Sequence, residues 1–213
     1  MTHPYWPLFD LRLRTGDVTL RPMTETDQLT VAARLPADVE LNPAATTYAV
    51  DDADVNRGIV IHQSYWKAYG TWHPESWRLS FAVLVDDEFV GAQELEGNDF
   101  PRLRTVDSAS FLVNAVRGRG IGKQMRRAVL GLAFGPMGGQ AAITSAWHDN
   151  HASLGVSRAL GYRPNGETFD RRGDGRDTMV HLRMLRADWV ASGAADAVSI
   201  SGFEECRHLF GIT

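Results

Sequence analysis

Cysteine is nearly absent: Cys206 stands alone in 213 residues. That excludes an internal disulfide and any cysteine-rich zinc site, and it suits a reducing compartment. Long apolar runs are missing too. No stretch approaches the roughly 18 residues a membrane helix needs, and the opening MTHPYWPLFDLRLRTGD shows no apolar core or small-residue cleavage site. The expectation is a cytoplasmic location, without signal peptide or membrane partner. Nor does one sign of charge dominate. The chain carries 22 Lys and Arg against 26 Asp and Glu, a net −4, which gives no general reason to bind nucleic acid. Repeats and low-complexity tracts are also absent. What is present, 44% hydrophobic and 23% charged residues, is ordinary for a globular domain able to bury a core unaided.

Hydrophobic periodicity supplies the order of elements. LRLRTGDVTLRP (11–22) alternates around Thr15-Gly16-Asp17 and predicts two short strands. Thr24 to Asp27 supplies helix-start chemistry. A second helix is expected from about 54 to 70, with Val55, Ile59, His62, Trp66 and Tyr69 in steps of four and three. Residues 77–97 read as two strands around Asp86-Asp87, and 105–114 as one further strand. From Gly120, the positions Ile121, Met125, Ala128, Val129 and Leu132 form one helical face, ended by Gly135-Pro136. A strand at 140–148, a short helix from Asn150 to Leu160 and two strands around 171–177 follow. VSISGF suggests an extra strand and ECRHLF a last helical turn. Tight turns imply antiparallel pairs, while the passage from 105 to 148 implies one parallel crossover. The sum is an α+β chain with a mixed, mostly antiparallel twisted sheet and helices on its faces.

One stretch runs against the acidic balance. VRGRGIGKQMRRAVL (116–130) holds five Lys or Arg, no acid and three glycines within five positions. It misses the P-loop pattern, since Gly118 to Gly122 is one residue short and Gln124 replaces the hydroxyl residue. It misses the dinucleotide fingerprint too, because the third glycine falls one position early and the next strand ends in Trp147-His148 rather than an acid. Its physics still favours phosphate. Glycine lets the backbone approach closely, and the free N–H groups at a helix start add a fixed positive potential. Arg117, Arg119 and Lys123 add side-chain charge. The plain alternative is a basic helix start in solvent.

Arg117-x-x-Gly120-x-Gly122 between a strand and a helix resembles the acyl-CoA pyrophosphate loop of the GNAT acyltransferases. Asn150, Ser153 and Gly161-Tyr162 match the next piece of that pattern. The N-terminal LRLRTGDVTLRPMTETD is similar to the RimJ/RimL branch. DFPRLRTVDSASFL and GFEECRHLFG are similar to an actinobacterial subset in which succinyltransferases are reported. The resemblance implies a GNAT domain over residues 1–190 and an extension over 191–213 that packs on the domain or on a partner chain, with a homodimer plausible. It implies an acyl-CoA co-substrate, acetyl-CoA by default or succinyl-CoA, and no metal. Gly118, Arg119, Gly120, Ile121, Gly122 and Lys123, with Arg117, would hold the pyrophosphate. The strands at 105–114 and 140–148 would splay, with the pantetheine arm between them along Phe111, Leu112 and Val113. Asn150 and Ser153 would meet the arm or cap their helix.

The implied reaction is acyl transfer to an amine: a protein N-terminus, a lysine or a small molecule. It needs a base, for which Asp107 and then Glu94 are favoured, with Glu96 and Asp99 as further candidates. It needs a proton donor for the departing thiolate. The family often has a Tyr seven residues after the Asn; Ser157 stands there, so Ser157 acting through water, Ser110, or solvent itself is the substitute. This departure also keeps a catalytically weak CoA sensor open, and a nucleotide-binding protein is a third reading. Arg102 and Arg104, close to the loop strand, are candidates for a succinyl pocket. The aromatic residues Trp66, Tyr69, Trp72 and Trp77 read first as packing and second as an acceptor wall. His148 and His151 lack a third metal ligand. Cys206 reads as a buried small hydrophobe.

Overall fold

The computed structural model of the chain describes residues 3–40 and 48–212. After a 3-10 turn at Pro7–Asp10, strands β1 (Arg12–Thr15) and β2 (Val18–Pro22) form the first hairpin. Helix α1 (Glu25–Arg34) starts on a capping box, in which Thr24 N–H donates to the Asp27 carboxylate at 2.7 Å. Helix α2 (Ala53–Gly70) is capped by Asp52, which accepts from the N–H groups of Asp54 and Val55. Strands β3 (Trp77–Val85) and β4 (Glu88–Gly97) turn through Asp86 and Asp87, both at positive φ, 51° and 62°. That pairing is the two-residue hairpin geometry whose twist matches the strands.

The segment expected as one strand over 105–114 is two. A short helix α3 (Phe100–Leu103) precedes β5 (Thr105–Asp107), and β6 (Ser110–Leu112) follows after a two-residue step. The step has a local cause. The Ala109 carbonyl accepts from Glu94 N–H at 2.7 Å and from Gln93 Nε2 at 2.9 Å, while the Ser108 carbonyl accepts from Thr144 Oγ1 at 3.0 Å. Side chains thereby take backbone acceptors that an unbroken ladder would use. Helix α4 (Ile121–Phe134), strand β7 (Ala141–Trp147), helix α5 (His151–Ala159) and strands β8 (Arg163–Arg172) and β9 (Gly175–Leu185) complete the order inferred from periodicity. Helix α6 (Arg186–Ala191), strand β10 (Ser199–Ser201) and helix α7 (Phe203–Cys206) close the chain.

One sheet carries all of this, in the order β10-β1-β2-β3-β4-β5-β7-β9-β8, with β6 paired to β4. Only β5 and β7 run parallel; the remaining described pairs are antiparallel. Strand alternation gives the sheet two faces. On one, Leu79, Phe81, Val83 and Leu95 pack with Ile121, Met125, Ala128, Val129 and Leu132 of α4, the face read from the sequence. On the other, Ala82, Phe89 and Ala92 pack with Val31 of α1 and Ile61 of α2. Beyond β4 this second face is open: Ser145, Thr168 and Arg183 are exposed there.

The C-terminal segment joins the same core. β10 adds to β1, with Leu13 opposite Ile200. Phe203, Cys206 and Phe210 are buried, and Phe210 packs edge-on against Trp77 at 4.9 Å and Trp72 at 5.5 Å. Trp72 Nε1 donates to the Leu209 carbonyl at 2.8 Å. Tyr69, Trp72 and Trp77 are therefore packing residues, and only Trp66 of that aromatic set is exposed. Burial pushes the Cys206 thiol up to about 12, which leaves it without thiolate chemistry near neutral pH.

Candidate active site

The glycine loop leaves β6 through a single 3-10 turn at Asn114–Val116 and enters α4 through Gly118 and Gly120, at φ 79° and 82°. Only glycine adopts that backbone without strain. A Cβ at either position would meet nothing within 4 Å. The N–H groups of Lys123 and Gln124 turn back to the Gly120 carbonyl at 3.1 and 3.3 Å. Those of residues 118–122 meet no acceptor among the described residues. Bare amides, the N-terminus of a 14-residue helix and the exposed side chains of Arg119 and Lys123 thus lie together on one open stretch of surface. Arg117 is engaged elsewhere. Its guanidinium grips both Asp38 carboxylate oxygens, one at 3.0 Å, and its Nε donates to the Leu112 carbonyl at 3.1 Å. Its structural share in the loop is to fasten it to the chain after α1. Gly122 has Val156 of α5 at 3.3 Å from a notional Cβ, which sets α5 close beside the loop.

Behind the loop the sheet splits. β7 pairs with β5 at Thr105–Ala141, Val106–Ala142 and Asp107–Ile143, and there the parallel ladder stops. β6 then pairs only with β4, and the remainder of β7 only with β9. The result is a wedge between β6 and β7 with its vertex at Asp107 and Ile143. Backbone polarity along the wedge follows from two bonds. Glu94 N–H reaches the Ala109 carbonyl and Val113 N–H reaches the Val90 carbonyl, so residues 109, 111 and 113 face β4. Alternation then turns the N–H groups of Ser110 and Leu112 into the wedge. Phe111 points its ring to the α1 face, 6.4 Å from Phe89.

The carboxylates lie on the open face at the vertex. Register sets Arg78 opposite Glu96, Ser80 opposite Glu94, and Glu96 opposite Asp107, so all five share that face. Burial pushes the Asp107 carboxyl up to about 6; Glu96 adds to this, while a 2.6 Å bond from Ser108 N–H opposes it. Burial also raises Glu94, against the pull of Arg78, and Ser80 Oγ donates to it at 3.2 Å. Glu96 is paired with Arg78 at 2.9 Å. Asp99 is not part of this group. It caps α3 at φ 47° and pairs with Arg102 at 2.6 Å.

Other expected residues are differently placed. Ser157 is 1% exposed, and its hydroxyl donates to the Ser153 carbonyl at 3.1 Å. Its proton is committed inside α5. Asn150 Oδ1 accepts from Ser153 N–H at 3.0 Å, so this pair caps α5. Arg102 and Arg104 precede β5, at the end away from the wedge. Arg102 pairs with Asp99 and Glu75, and Arg104 donates to the Met137 carbonyl and covers the Phe100 ring. Neither supplies a pocket near Ser110. His148 Nδ1 lies 3.1 Å from Asp177, beside the ion pairs of Arg172 with Asp149, Asp177 and Glu40.

Periodicity gave no warning of Arg126. It lies beside the buried stripe of α4 and is 3% exposed. Nη1 donates to Thr144 Oγ1 at 3.2 Å and Nη2 to Ser110 Oγ at 3.4 Å, and no carboxylate pairs with it among the described residues. Arg126 Nε, Ser108 Oγ and the Tyr162 hydroxyl are buried without a well-formed hydrogen bond. A buried cation hydrogen-bonded only to hydroxyls is costly, and the charge of the nearby Asp107 carboxylate offsets part of that cost. It stands under the wedge, with Ser110, whose residue is exposed, between it and solvent.

The profile described as acetyltransferase (GNAT) domain matches residues 17–163. Among solved structures, Mycobacterium smegmatis RimJ in complex with CoA-disulfide superposes with a TM-score of 0.65 at 18% identity, over 88% of this chain and 97% of that one. A putative acetyltransferase from T. thermophilus gives 0.68 at 18% identity, over 87% and 93%. Ribosomal-protein-S5-alanine acetyltransferase from Vibrio fischeri gives 0.62 at 15% identity, over 84% and 98%. These likenesses agree with the sheet, its single parallel pair and the helices on both faces. Split sheet, glycine loop and matched profile converge on one assignment, and the chain belongs to the GNAT acetyltransferase-domain family.

Proposed function

We propose that the chain transfers an acyl group, acetyl by default, from acyl-CoA to a primary amine by direct attack in a ternary complex. The observation that carries this reading is the wedge between β6 and β7, which leads from unpartnered loop amides to a half-buried carboxyl. The amides of 118–122, with Arg119 and Lys123, would hold the diphosphate. The pantetheine arm would follow β6 along Phe111, Leu112 and Val113, its amides answered by the N–H groups of Ser110 and Leu112. One of those two would steady the oxyanion of the tetrahedral intermediate. Going back from Leu112 to Ser108 covers about 13 Å, which brings the thioester to the vertex. Asp107, a carboxylate above about pH 6, takes a proton from the incoming ammonium. Ser110 replaces Ser157 as the hydroxyl nearest the departing thiolate, polarised by Arg126 behind it. Titration of the full chain with acetyl-CoA, followed by release of free CoA with a panel of primary amines, tests the reading. A rise in melting temperature with no amine-dependent release leaves a CoA-binding sensor instead, and no rise at all refutes the loop assignment.

Arg126 favours a second donor. A buried guanidinium that forms no ion pair among the described residues, although Asp107 feels its charge, suits an acyl group that ends in a carboxylate, as succinyl does. It replaces Arg102 and Arg104 as the cation for such a group. Succinyl-CoA should then outbind the neutral butyryl-CoA at least about tenfold, and Arg126→Met should remove that preference while retaining affinity for acetyl-CoA. Equal affinity for the two four-carbon donors refutes the anionic donor and leaves acetyl transfer intact.

A further inference from the structure

The open face that carries Asp107 also carries a line of polar groups which the chemistry above does not use. Ser145 on β7 and His181 on β9 are cross-strand partners, with Ser145 Oγ 2.8 Å from His181 Nδ1. His181 Nε2 is 2.8 Å from Thr168 Oγ1 on β8, and Thr168 Oγ1 donates to Asp170 Oδ2 at 3.0 Å. The proton positions follow from donor capacity. An ionised carboxylate only accepts and a threonine hydroxyl has one proton, so that proton lies on the Asp170 side. Thr168 Oγ1 must then accept from His181 Nε2–H. A neutral imidazole is left with Nδ1 bare, able only to accept from the Ser145 hydroxyl. Each of the three bonds donates in the same direction, from Ser145 toward Asp170.

Ser145 is exposed on the unzipped part of β7, two residues past Ile143, the partner of Asp107. Along one strand face that is about 7 Å from the vertex. Thr168 and Asp170, at the far end, are exposed to water. The other charged groups of this face are Arg78 on β3, Glu94 and Glu96 on β4, Asp107 on β5, Asp177 and Arg183 on β9, and Arg163 and Arg172 on β8. The proton balance of the reaction gives such a line a purpose. An ammonium and a thioester yield an amide, a thiol and one surplus proton, because two N–H bonds break and a single S–H bond forms.

We propose that Ser145, His181, Thr168 and Asp170 are a proton relay that exports this surplus proton from the wedge to solvent. The proposal rests on the transferase reading above. Asp107 gives up the proton it took from the ammonium, water carries that proton across to Ser145 Oγ, the Ser145 proton passes to His181 Nδ1, the Nε2 proton passes to Thr168, and the Thr168 proton passes to Asp170, which releases it to water. Every step breaks one O–H or N–H bond and forms another, with no change of oxidation state. His181 and Asp170 are positioning and relay residues that act through Ser145.

Proton–nitrogen correlation NMR of the full chain, labelled at histidine, tests the line directly. The expected result is the Nε2-protonated tautomer of His181, assigned by its loss in His181→Gln. In weak buffer, with acetyl-CoA and any amine active in the CoA-release panel, His181→Gln and Asp170→Asn are expected to lower kcat about tenfold. Affinity for acetyl-CoA stays unchanged, and added imidazole restores the rate. A merely structural His181 would not respond to imidazole. The Nδ1-protonated tautomer, an unchanged kcat, or a loss that imidazole does not rescue overturns the relay alone. A chain that neither binds acetyl-CoA nor releases CoA overturns the transferase reading and the relay's purpose with it.

Discussion

Helix α4 contains glycines that serve opposite ends. At its start, Gly120 faces open space, with no atom within 4 Å of where a side chain would begin. One face of the helix further on, Gly131 lies against Val198, which approaches a notional Cβ to 2.8 Å. The first is empty because the fold leaves room there; the second is small because the C-terminal segment fills the room. Around Gly120 the backbone is strained for any other residue and its amides are unanswered. Around Gly131 the helix is buried almost all round, with Phe134 5.9 Å from Trp189 and the tail laid over it. Open and closed regions of one helix thus divide the labour, the proposed coenzyme contact at one end and stability at the other.

Substitutions should separate these regions, and the largest effect is expected at the vertex of the wedge. Asp107→Asn should lower kcat by about 10²–10⁴-fold in CoA release. The carboxyl holds its proton more tightly when folded than unfolded, so its ionisation above about pH 6 costs stability. Asn removes that cost, and melting at pH 8 should be unchanged or higher. In the closed region, Phe210→Ala should destabilise by about 3–5 kcal/mol in denaturant titration, without altering acetyl-CoA affinity per folded molecule. Gly131→Ala should cost about 1–3 kcal/mol by overpacking on Val198, a fall in melting temperature of roughly 2–10 °C. Gly120→Ala should weaken acetyl-CoA binding about tenfold for strain of about 1–3 kcal/mol at positive φ. The smallest effect concerns acidity: the rate should fall as pH drops through about 6, where Asp107 takes up its proton. Loss of acetyl-CoA affinity in Phe210→Ala, measured below its melting temperature, would erase the division between the regions.

The features legible in the sequence are those set by neighbours along the chain. Hairpin turns, the Thr24–Asp27 capping box, the α4 stripe and the positive-φ glycines each follow from a few adjacent residues. The break between β5 and β6 was not legible, because it depends on Gln93 and Thr144 reaching across the sheet. Ser157 lies two helical turns from Asn150, which invites a role on the same face, yet Leu154 and Tyr162 are buried with it and the hydroxyl turns back into α5. Arg102 and Arg104 are near β5 in sequence and at its wrong end in space. Arg126 and the Ser145–His181 pair come from elements far apart in the chain. A charged residue beside an apolar stripe was the only written sign of Arg126.

β10 lies beside β1, so a strand near residue 200 completes the edge begun near residue 12. During synthesis, β1 emerges long before that neighbour exists. Until residues 189–198 leave the ribosome, Gly131 and the back of α4 remain uncovered. Folding of the half that carries the glycine loop is therefore tied to elements translated well after it, and a nascent chain halted before them presents a bare apolar helix to chaperones.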